Sequence, residues 1–401
     1  MYKNKKIIIL IIISIIVLSY EIYVSFYLKW INFAILYSDP YTNEDINAIS
    51  TIIENRINRY SETVNSIYRF KLDPIYLSFD NLQNSTYELI KTKYNFIIGP
   101  DYTNQINYFM NVNNIIFISP NSSSDFLINH PHVFRLKTPD SIQGKVIAKF
   151  LIYKNITKTI TLTSDIEWSK NIINKFNEEY SKLDGQIIED ITYDPNSSDF
   201  SNVIKKLEIK INSEIDIIDR NKYAIVQIGI FETPSLLNQI SKNSIIRNVT
   251  WVGSDALTSN LVLPYFQNLT NCFNDLTLYS VSIVSSNSSN FLEIEKEYNN
   301  YISGELDFVQ SARYDACWLL AKTILNMNSI NVKDIIDNLK SISEGYVGIT
   351  GNCNFNSFGD RVNAYYNIYE LRDDIKNKSQ QILSYDLQND IFTIISNNNI
   401  K

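Results

Sequence analysis

The fold is decided by residues 94–124, which read YNFIIGPDYTNQINYFMNVNNIIFISPNSSS. The stretch contains two short apolar runs, Asn95–Ile98 and Ile115–Ser119, and a small polar turn follows each of them. Short apolar runs bounded by Gly, Pro, Asn and Ser are typical of buried strands. A third segment, Val133–Leu136, leads into a helix. Because ligands bind at the carboxyl ends of strands in an open parallel sheet, the two turns predict a cradle for a small polar or anionic group.

The composition is that of a globular chain. Its 401 residues are enough for two domains, and 45% of them are hydrophobic while 20% are charged. The formal net charge is −7, which argues against binding through neutralised phosphates. We therefore predict no nucleic-acid partner.

Strands and helices alternate along most of the chain. The first series includes strands at Phe33–Tyr37 and Ile75–Phe79, and a second series begins with a strand at Thr159–Thr163. Such alternation predicts parallel sheets with helices on both faces. The last third breaks the pattern, so we expect the chain to cross back between two units. The predicted fold class is α/β, with two Rossmann-like lobes with parallel sheets, a multi-strand hinge and a ligand cleft between the lobes.

The predicted division of the chain has three parts. Residues 1–30 form an N-terminal signal anchor or transmembrane helix. Lobe 1 comprises residues 31–153 plus 276–344, and lobe 2 comprises residues 154–275 plus 345–401.

The N-terminus carries the pattern of an exported protein. Lys3, Lys5 and Lys6 precede an apolar run that extends from Ile7 to Leu28. No small-residue cleavage site follows, and no cysteine is placed for lipid attachment. We expect residues 7–28 to remain as a single membrane anchor with the globular part extracytoplasmic. A cleaved signal and a buried core helix are the alternatives.

The sequence offers little chemistry for catalysis. His130 and His132 are the only two histidines, and the three cysteines have no CxxC spacing. The chain contains neither a nucleophile elbow nor a glycine-rich phosphate loop. We therefore predict that the protein is not an enzyme, and we predict no cofactor or metal.

Several short motifs occur in an order that resembles the type I periplasmic binding protein family, which includes branched-chain amino-acid and amide binding proteins and receptor ligand-binding domains. The motifs are Ile98-Gly99-Pro100, Ser119-Pro120-Asn121-Ser122-Ser123, Phe134-Arg135-Leu136, Trp251-Val252-Gly253-Ser254-Asp255, Tyr314-Asp315-Ala316 and Ile349-Thr350-Gly351. The resemblance covers residues 31–390. The sequence departs from the family at Trp168-Ser169, where Tyr-Gly is usual, and in carrying Ser-Pro-Asn-Ser-Ser in place of Ser-Pro-Gly-Ala-Thr.

The resemblance implies the lobe 1 half of a ligand site. Thr103, Ser122 and Ser123 match the positions that hold a ligand carboxylate. Hydroxyl and backbone N–H groups bind such an anion without a buried counter-charge. The alternative is that the serines at 122 to 124 only cap the helix that starts near Asp125. Arg135 is expected to brace the packing of the lobes through Asp140 rather than to contact a ligand.

The resemblance also implies the lobe 2 half. Asp255 matches the acid that accepts a ligand ammonium, and its alternative role is to cap the following turn. Trp168 matches an aromatic residue that closes over the ligand. Further aromatic candidates for ligand binding are Tyr102, Phe231 and Tyr41.

The resemblance implies an extracytoplasmic solute-binding protein that captures a small polar ligand, an amino acid or an amide, for an ABC-type permease. Its expected partners are the ligand, the permease and the membrane, which the N-terminal helix would enter. The alternative is an extracellular ligand-sensing or structural module without a role in transport.

Overall fold

The protein is described by a computed structural model that covers residues 13–15, 27–38, 40–78, 84–110, 112–128, 133–214, 222–259, 262–267, 276–372 and 379–395. The predicted anchor at residues 7–28 lies outside these ranges except for residues 13–15 and 27–28. Among the helices of the covered ranges, none is both long enough and apolar enough to cross a membrane.

The first lobe is built on a five-stranded parallel sheet in the order β2-β1-β3-β4-β5. Its first elements are β1 (Lys29–Tyr37), α1 (Asn43–Thr63), β2 (Tyr68–Tyr76), α2 (Asn84–Lys93), β3 (Phe96–Ile98), α3 (Thr103–Ile106), β4 (Ile116–Ser119) and β5 (Val133–Arg135). All residues of β3 and β4 are buried because helices cover both faces of the sheet. The strand predicted at Ile75–Phe79 was wrongly bounded, since β2 begins seven residues earlier and ends at Tyr76.

The second lobe contains an eight-stranded sheet in the order β15-β14-β13-β10-β9-β8-β6-β7. The chain first enters it with α4 (Asp140–Tyr153), β6 (Lys158–Ser164), α5 (Glu167–Lys182), β7 (Gln186–Tyr193), α6 (Ser201–Glu214), β8 (Tyr223–Ile228), α7 (Thr233–Gln239), β9 (Thr250–Gly253), α8 (Leu263–Gln267) and β10 (Leu278–Val284). Strands β6 to β10 pair in parallel.

The last third of the chain completes both lobes. It returns to the first lobe with α9 (Ser289–Tyr298), α10 (Phe308–Met327), α11 (Val332–Glu344), β11 (Val347–Gly348) and β12 (Gly351–Asn352). It then adds β13 (Tyr365–Leu371), β14 (Ser379–Asp386) and β15 (Ile391–Ile394) to the second sheet as antiparallel strands. Within the covered ranges the chain thus passes between the lobes three times, after β5, after β10 and between β12 and β13. The predicted α/β fold class with two lobes is confirmed.

The predicted assignment of segments to lobes requires three corrections. Helix α4, placed in lobe 1 from sequence, packs on α5 through residues such as Val146 and Phe176 in the core of the second lobe. Strand β10, also placed in lobe 1, pairs with β9 and β13. Residues 346–355, placed in lobe 2, contribute Ile349 and Phe355 to the core of the first lobe. Periodicity identifies a strand or a helix, but it does not say which sheet that element joins.

Buried charged side chains hold the crossings together. Arg135 Nε donates to Asp360 Oδ1 at 2.6 Å, and the two side chains are 0% and 4% exposed. Arg361 donates from one terminal nitrogen to the Leu136 carbonyl oxygen at 3.1 Å and from the other to the Thr350 carbonyl oxygen at 2.7 Å. The expectation that Arg135 braces the lobes through Asp140 is therefore wrong, because its carboxylate partner is Asp360.

Candidate functional site

The carboxyl ends of the parallel strands in both lobes point toward the crossings. Strand β5 ends where the first crossing begins, and β10 ends where the second begins. The first crossing enters lobe 2 at the N-terminus of α4, where Asp140 accepts a hydrogen bond from Trp168 in the first turn of α5, the helix that follows β6. Turns that follow these strands therefore face one another between the lobes, which is where open parallel sheets bind ligands.

The two hydroxyl-bearing turns of lobe 1 are joined to each other. The Thr103 and Ser122 hydroxyl oxygens lie 2.7 Å apart and share a hydrogen bond. Ser119 Oγ donates to the Pro100 carbonyl oxygen at 2.6 Å and accepts from the Ser122 N–H at 3.0 Å. The turns after β3 and β4 thus form one polar surface. Thr103 and Ser122 therefore lie next to each other, as the sequence predicted.

The turn after β4 also contacts the start of α4 in the second lobe. The Ser123 carbonyl oxygen accepts from the Asp140 N–H at 2.8 Å, and Asp125 Oδ1 accepts from the Ser141 N–H at 3.2 Å. Lobe 1 therefore caps the N-terminus of a lobe 2 helix. The capping alternative holds for Ser124, whose Oγ accepts from the Phe126 N–H at 3.3 Å at the start of a short 3-10 helix.

Asp140 lies between two predicted ligand-binding residues, Ser123 and Trp168. Trp168 Nε1 donates to Asp140 Oδ1 at 3.1 Å, whereas Asp140 Oδ2 is buried and has no protein partner. Burial raises the pKa of Asp140 to about 6, even though the nearby Lys137 ammonium lowers it. The aromatic side chain expected to close over a ligand is thus held in place by a buried carboxyl group.

Asp255 has a partner that the sequence did not indicate. Lys137 Nζ donates to Asp255 Oδ2 at 3.0 Å, and the side chains are 20% and 22% exposed. Lys137 lies in the first crossing, and Asp255 directly follows the turn after β9, so this ion pair joins the crossing to lobe 2. The capping role proposed for Asp255 belongs to Ser254, whose Oγ accepts from the Ala256 N–H at 3.3 Å.

Tyr41 belongs to a buried charged cluster in lobe 1. Its hydroxyl donates to Asp307 Oδ2 at 2.8 Å, and its ring centre lies 5.0 Å from the Arg313 guanidinium carbon. Arg313 in turn donates to Asp101 Oδ1 at 2.6 Å, with side-chain exposures of 0% and 1%. Burial raises the pKa of Asp101, and the Arg313 charge opposes that shift. Tyr41 is thus fixed by protein contacts next to the turn after β3.

The other two aromatic candidates, Tyr102 and Phe231, lie in turns that follow strands. Tyr102 is partly buried and precedes α3 in an extended conformation. Phe231 follows β8 and is 52% exposed, with its ring centre 6.0 Å from that of Tyr265. Phe231 therefore stands at the correct sheet edge but packs on the surface of lobe 2.

Sequence reasoning missed Lys137, Asp140 and Arg313 as members of the site. Lys137 and Asp140 lie on either side of Thr138-Pro139, shortly after the end of β5, and a charged residue after a strand near a crossing was the available indication. Arg313 gave no such indication, because it lies within a helix. Among the residues that the structure covers, no three His, Cys, Asp or Glu side chains group together as metal ligands, and His130 and His132 lie outside those residues.

Comparison with known proteins identifies the family. Residues 56–374 match the family described as the receptor family ligand binding region, and the match spans more than half of the chain. The chain therefore belongs to this family, and its fold is the two-lobed fold of type I periplasmic binding proteins. It is also 25% identical over 356 residues to an uncharacterised protein of Methanocaldococcus jannaschii, a match that covers 81% of this chain and 82% of the relative.

Solved structures with the same fold include transporter binding proteins. One is the branched-chain amino acid transporter substrate binding protein LivJ from Streptococcus pneumoniae in complex with isoleucine. It is 19% identical with a TM-score of 0.65, and the match covers 89% of this chain and 99% of that one. Another is an ABC transporter solute binding protein from R. palustris in complex with benzoate, 13% identical with a TM-score of 0.62 and coverages of 88% and 95%. At these low identities the likeness establishes the fold.

Proposed function

We propose that this protein is an extracytoplasmic binding protein that encloses a small polar solute between its two lobes. The observation that carries the proposal is the hydrogen bond between the Thr103 and Ser122 hydroxyls, which joins the turns after β3 and β4 at the carboxyl edge of the first sheet. Family membership supports ligand binding, because the family is described as a ligand binding region. Closure of the lobes around the crossings would bury the solute and change the shape that a partner recognises.

The proposed partner is an ABC-type permease. Support comes from solved structures of the same fold, which are described as transporter binding proteins in complex with isoleucine and with benzoate. A polar group of the solute, a carboxylate or an amide, would bind to the hydroxyl groups of Thr103, Ser122 and Ser123. An N-terminal anchor at residues 7–28 would keep the protein beside its permease.

A second candidate function is ligand sensing without transport. The name of the family favours it, since the family is described as a receptor family. Solute binding would be the same in both cases, and only the partner of the closed form would differ. Pull-down of membrane proteins with and without solute separates the two functions, because a permease and a signalling subunit are different captured partners.

A thermal-shift screen of the full chain in mild detergent tests the binding proposal. The panel contains amino acids, small amides and small carboxylic acids, and at least one class is expected to raise the melting temperature in a concentration-dependent way. Thr103→Val removes a hydroxyl from the polar surface and keeps the side-chain shape. Loss of a hydrogen bond to a charged group costs about 1.5–3 kcal/mol, so the solute found should bind about 10- to 100-fold more weakly.

Thr51→Val is the matched control, because Thr51 is exposed on α1 and its hydroxyl bonds only the Asn47 carbonyl oxygen, at 2.7 Å. This variant should bind the solute as the wild type does. Equal binding by Thr103→Val and Thr51→Val would remove the polar surface from the site.

A further inference from the structure

The Lys137–Asp255 pair places a positive charge where the sequence led us to expect a ligand ammonium. Lys137 Nζ lies 3.0 Å from Asp255 Oδ2, which is the geometry of an ammonium bound by a carboxylate. Both side chains keep about a fifth of their surface exposed, 20% and 22%, at the junction of the first crossing with lobe 2. The pair is therefore not fully shielded from solvent.

Both chain neighbours of Lys137 are anchored by hydrogen bonds to buried side chains. Its neighbour Leu136 accepts through its carbonyl oxygen from the buried Arg361 at 3.1 Å. Its other neighbour, Thr138, shares a hydrogen bond of 2.7 Å between its hydroxyl and that of the buried Tyr366. The residues on both sides of Lys137 are thus tied to the third crossing at Arg361 and to β13 at Tyr366.

The surroundings of Lys137 keep its side chain charged. Asp255 and Asp140 both raise the pKa of Lys137, and together they outweigh the opposing effect of burial. The ammonium has three N–H donors, and Asp255 takes one of them. Two donors remain for an acceptor on a ligand.

We propose that Lys137 is the resident cation of the solute site, so that the site selects small carboxylic acids or primary amides that carry no α-ammonium group. The inference rests on the proposed function and specifies the solute class for the same site. The carboxylate or carbonyl oxygen of the solute would accept from Lys137 and from the lobe 1 hydroxyls.

An α-amino acid fits this site less well for an electrostatic reason. Its ammonium would have to displace Lys137 from Asp255, and the displaced ammonium would remain close to the incoming one. Two like charges a few ångströms apart in a partly desolvated site repel each other strongly. In the opposing arrangement, Asp255 binds the ligand ammonium and Lys137 binds the ligand carboxylate. The experiment below distinguishes this arrangement from the proposed one.

The test compares matched pairs that differ only in the α-ammonium group. The pairs are L-leucine with 4-methylpentanoate, L-phenylalanine with 3-phenylpropanoate, and L-glutamine with 5-amino-5-oxopentanoate. Calorimetry on the full chain in detergent measures each dissociation constant. We expect the member without the ammonium to bind at least 10-fold more tightly in any pair that binds. Equal or tighter binding of the amino acid would overturn the inference and leave the proposed function intact.

Variants of Lys137 assign the selectivity to this residue. Lys137→Met removes the charge and keeps the stem, so the preference should shift at least 10-fold toward the amino acid of each pair. Lys137→Arg keeps the charge and should keep the preference for the ligand without an ammonium. This variant can be measured even if Lys137→Met fails to fold. Lys182→Met is the matched control, because Lys182 pairs with Glu179 on the surface of α5.

Unchanged selectivity in Lys137→Met would also overturn the inference. If no member of any pair binds to the wild type or to Lys137→Met, the proposed function fails, and the inference fails with it. These outcomes are distinct, because only the last one involves a complete lack of binding.

Discussion

Gly144 is the position at which a single methyl group should most clearly disturb the packing of lobe 2. It lies on α4, where that helix packs against α5. A Cβ atom added to Gly144 would lie 2.2 Å from the Ile172 carbonyl oxygen and 2.9 Å from the Phe176 amide nitrogen. Both are backbone atoms, so no side-chain rotation can relieve the contact.

The magnitude of the effect follows from these distances. Ordinary contact needs about 3.4 Å or more, so α4 and α5 would have to separate by roughly 1 Å, and such a gap forfeits about a quarter to a half of each dispersion contact. Overpacking in a core costs about 1–3 kcal/mol, and a rigid backbone contact puts Gly144→Ala at or above the upper end of that range. The gain in helix propensity from Gly to Ala is only about 1 kcal/mol. We therefore expect a net loss of about 2 kcal/mol or more in the free energy of unfolding.

Urea unfolding followed by circular dichroism measures this loss, and Gly345→Ala is the matched control. Gly345 ends α11 with a φ of −103°, and an added Cβ would meet no atom within 4 Å. The same substitution there should be neutral or stabilise the protein by up to about 1 kcal/mol, since Ala reduces the entropy of the unfolded chain. If Gly144→Ala unfolds at the same urea concentration as Gly345→Ala, the close approach of α4 and α5 is refuted.

Two further predictions concern buried carboxyl groups. The pKa of Asp140 is about 6 in the folded state against an ordinary 3.8, so the folded state binds the carboxyl proton more tightly than the unfolded state does. Protonation of Asp140 therefore stabilises the fold below pH 4, and this stabilisation is lost as the pH rises through 6. Asp140→Asn avoids that loss, and urea unfolding should show it to be more stable than the wild type by up to about 3 kcal/mol at pH 7, with the gain disappearing near pH 4. A variant less stable than the wild type at pH 7 would contradict the assignment. Asp101→Asn leaves the buried Arg313 guanidinium without its counter-charge and should cost about 3–5 kcal/mol, part of which Asp101→Asn combined with Arg313→Met should restore. Additive losses in that double-mutant cycle would show that the pair is not coupled.

Much of the fold followed from local patterns in the sequence. The apolar runs around Ile97 and Ile118 identified β3 and β4, and the alternation of strands with helices identified parallel sheets. Since parallel strands end at a common sheet edge, the turns after these two strands had to lie close together, and Thr103 and Ser122 do share a hydrogen bond. The predicted bounds of β2 were wrong, because alternating apolar residues in Tyr68–Leu72 already mark its start. Pro74 is tolerated within β2 because this strand lies at the edge of the sheet.

Local sequence patterns identify the types of the main elements and the lobe 1 turns, because each depends on residues only a few positions apart. The tertiary structure decided which sheet β10 joins and which lobe α4 covers, and it brought Lys137 to Asp255, 118 positions away, and Asp101 to Arg313, 212 positions away. Pairing over such separations depends on where the chain crosses between lobes. No periodicity of apolar residues records those crossings, so the charge balance of the candidate site could be determined only from the folded chain.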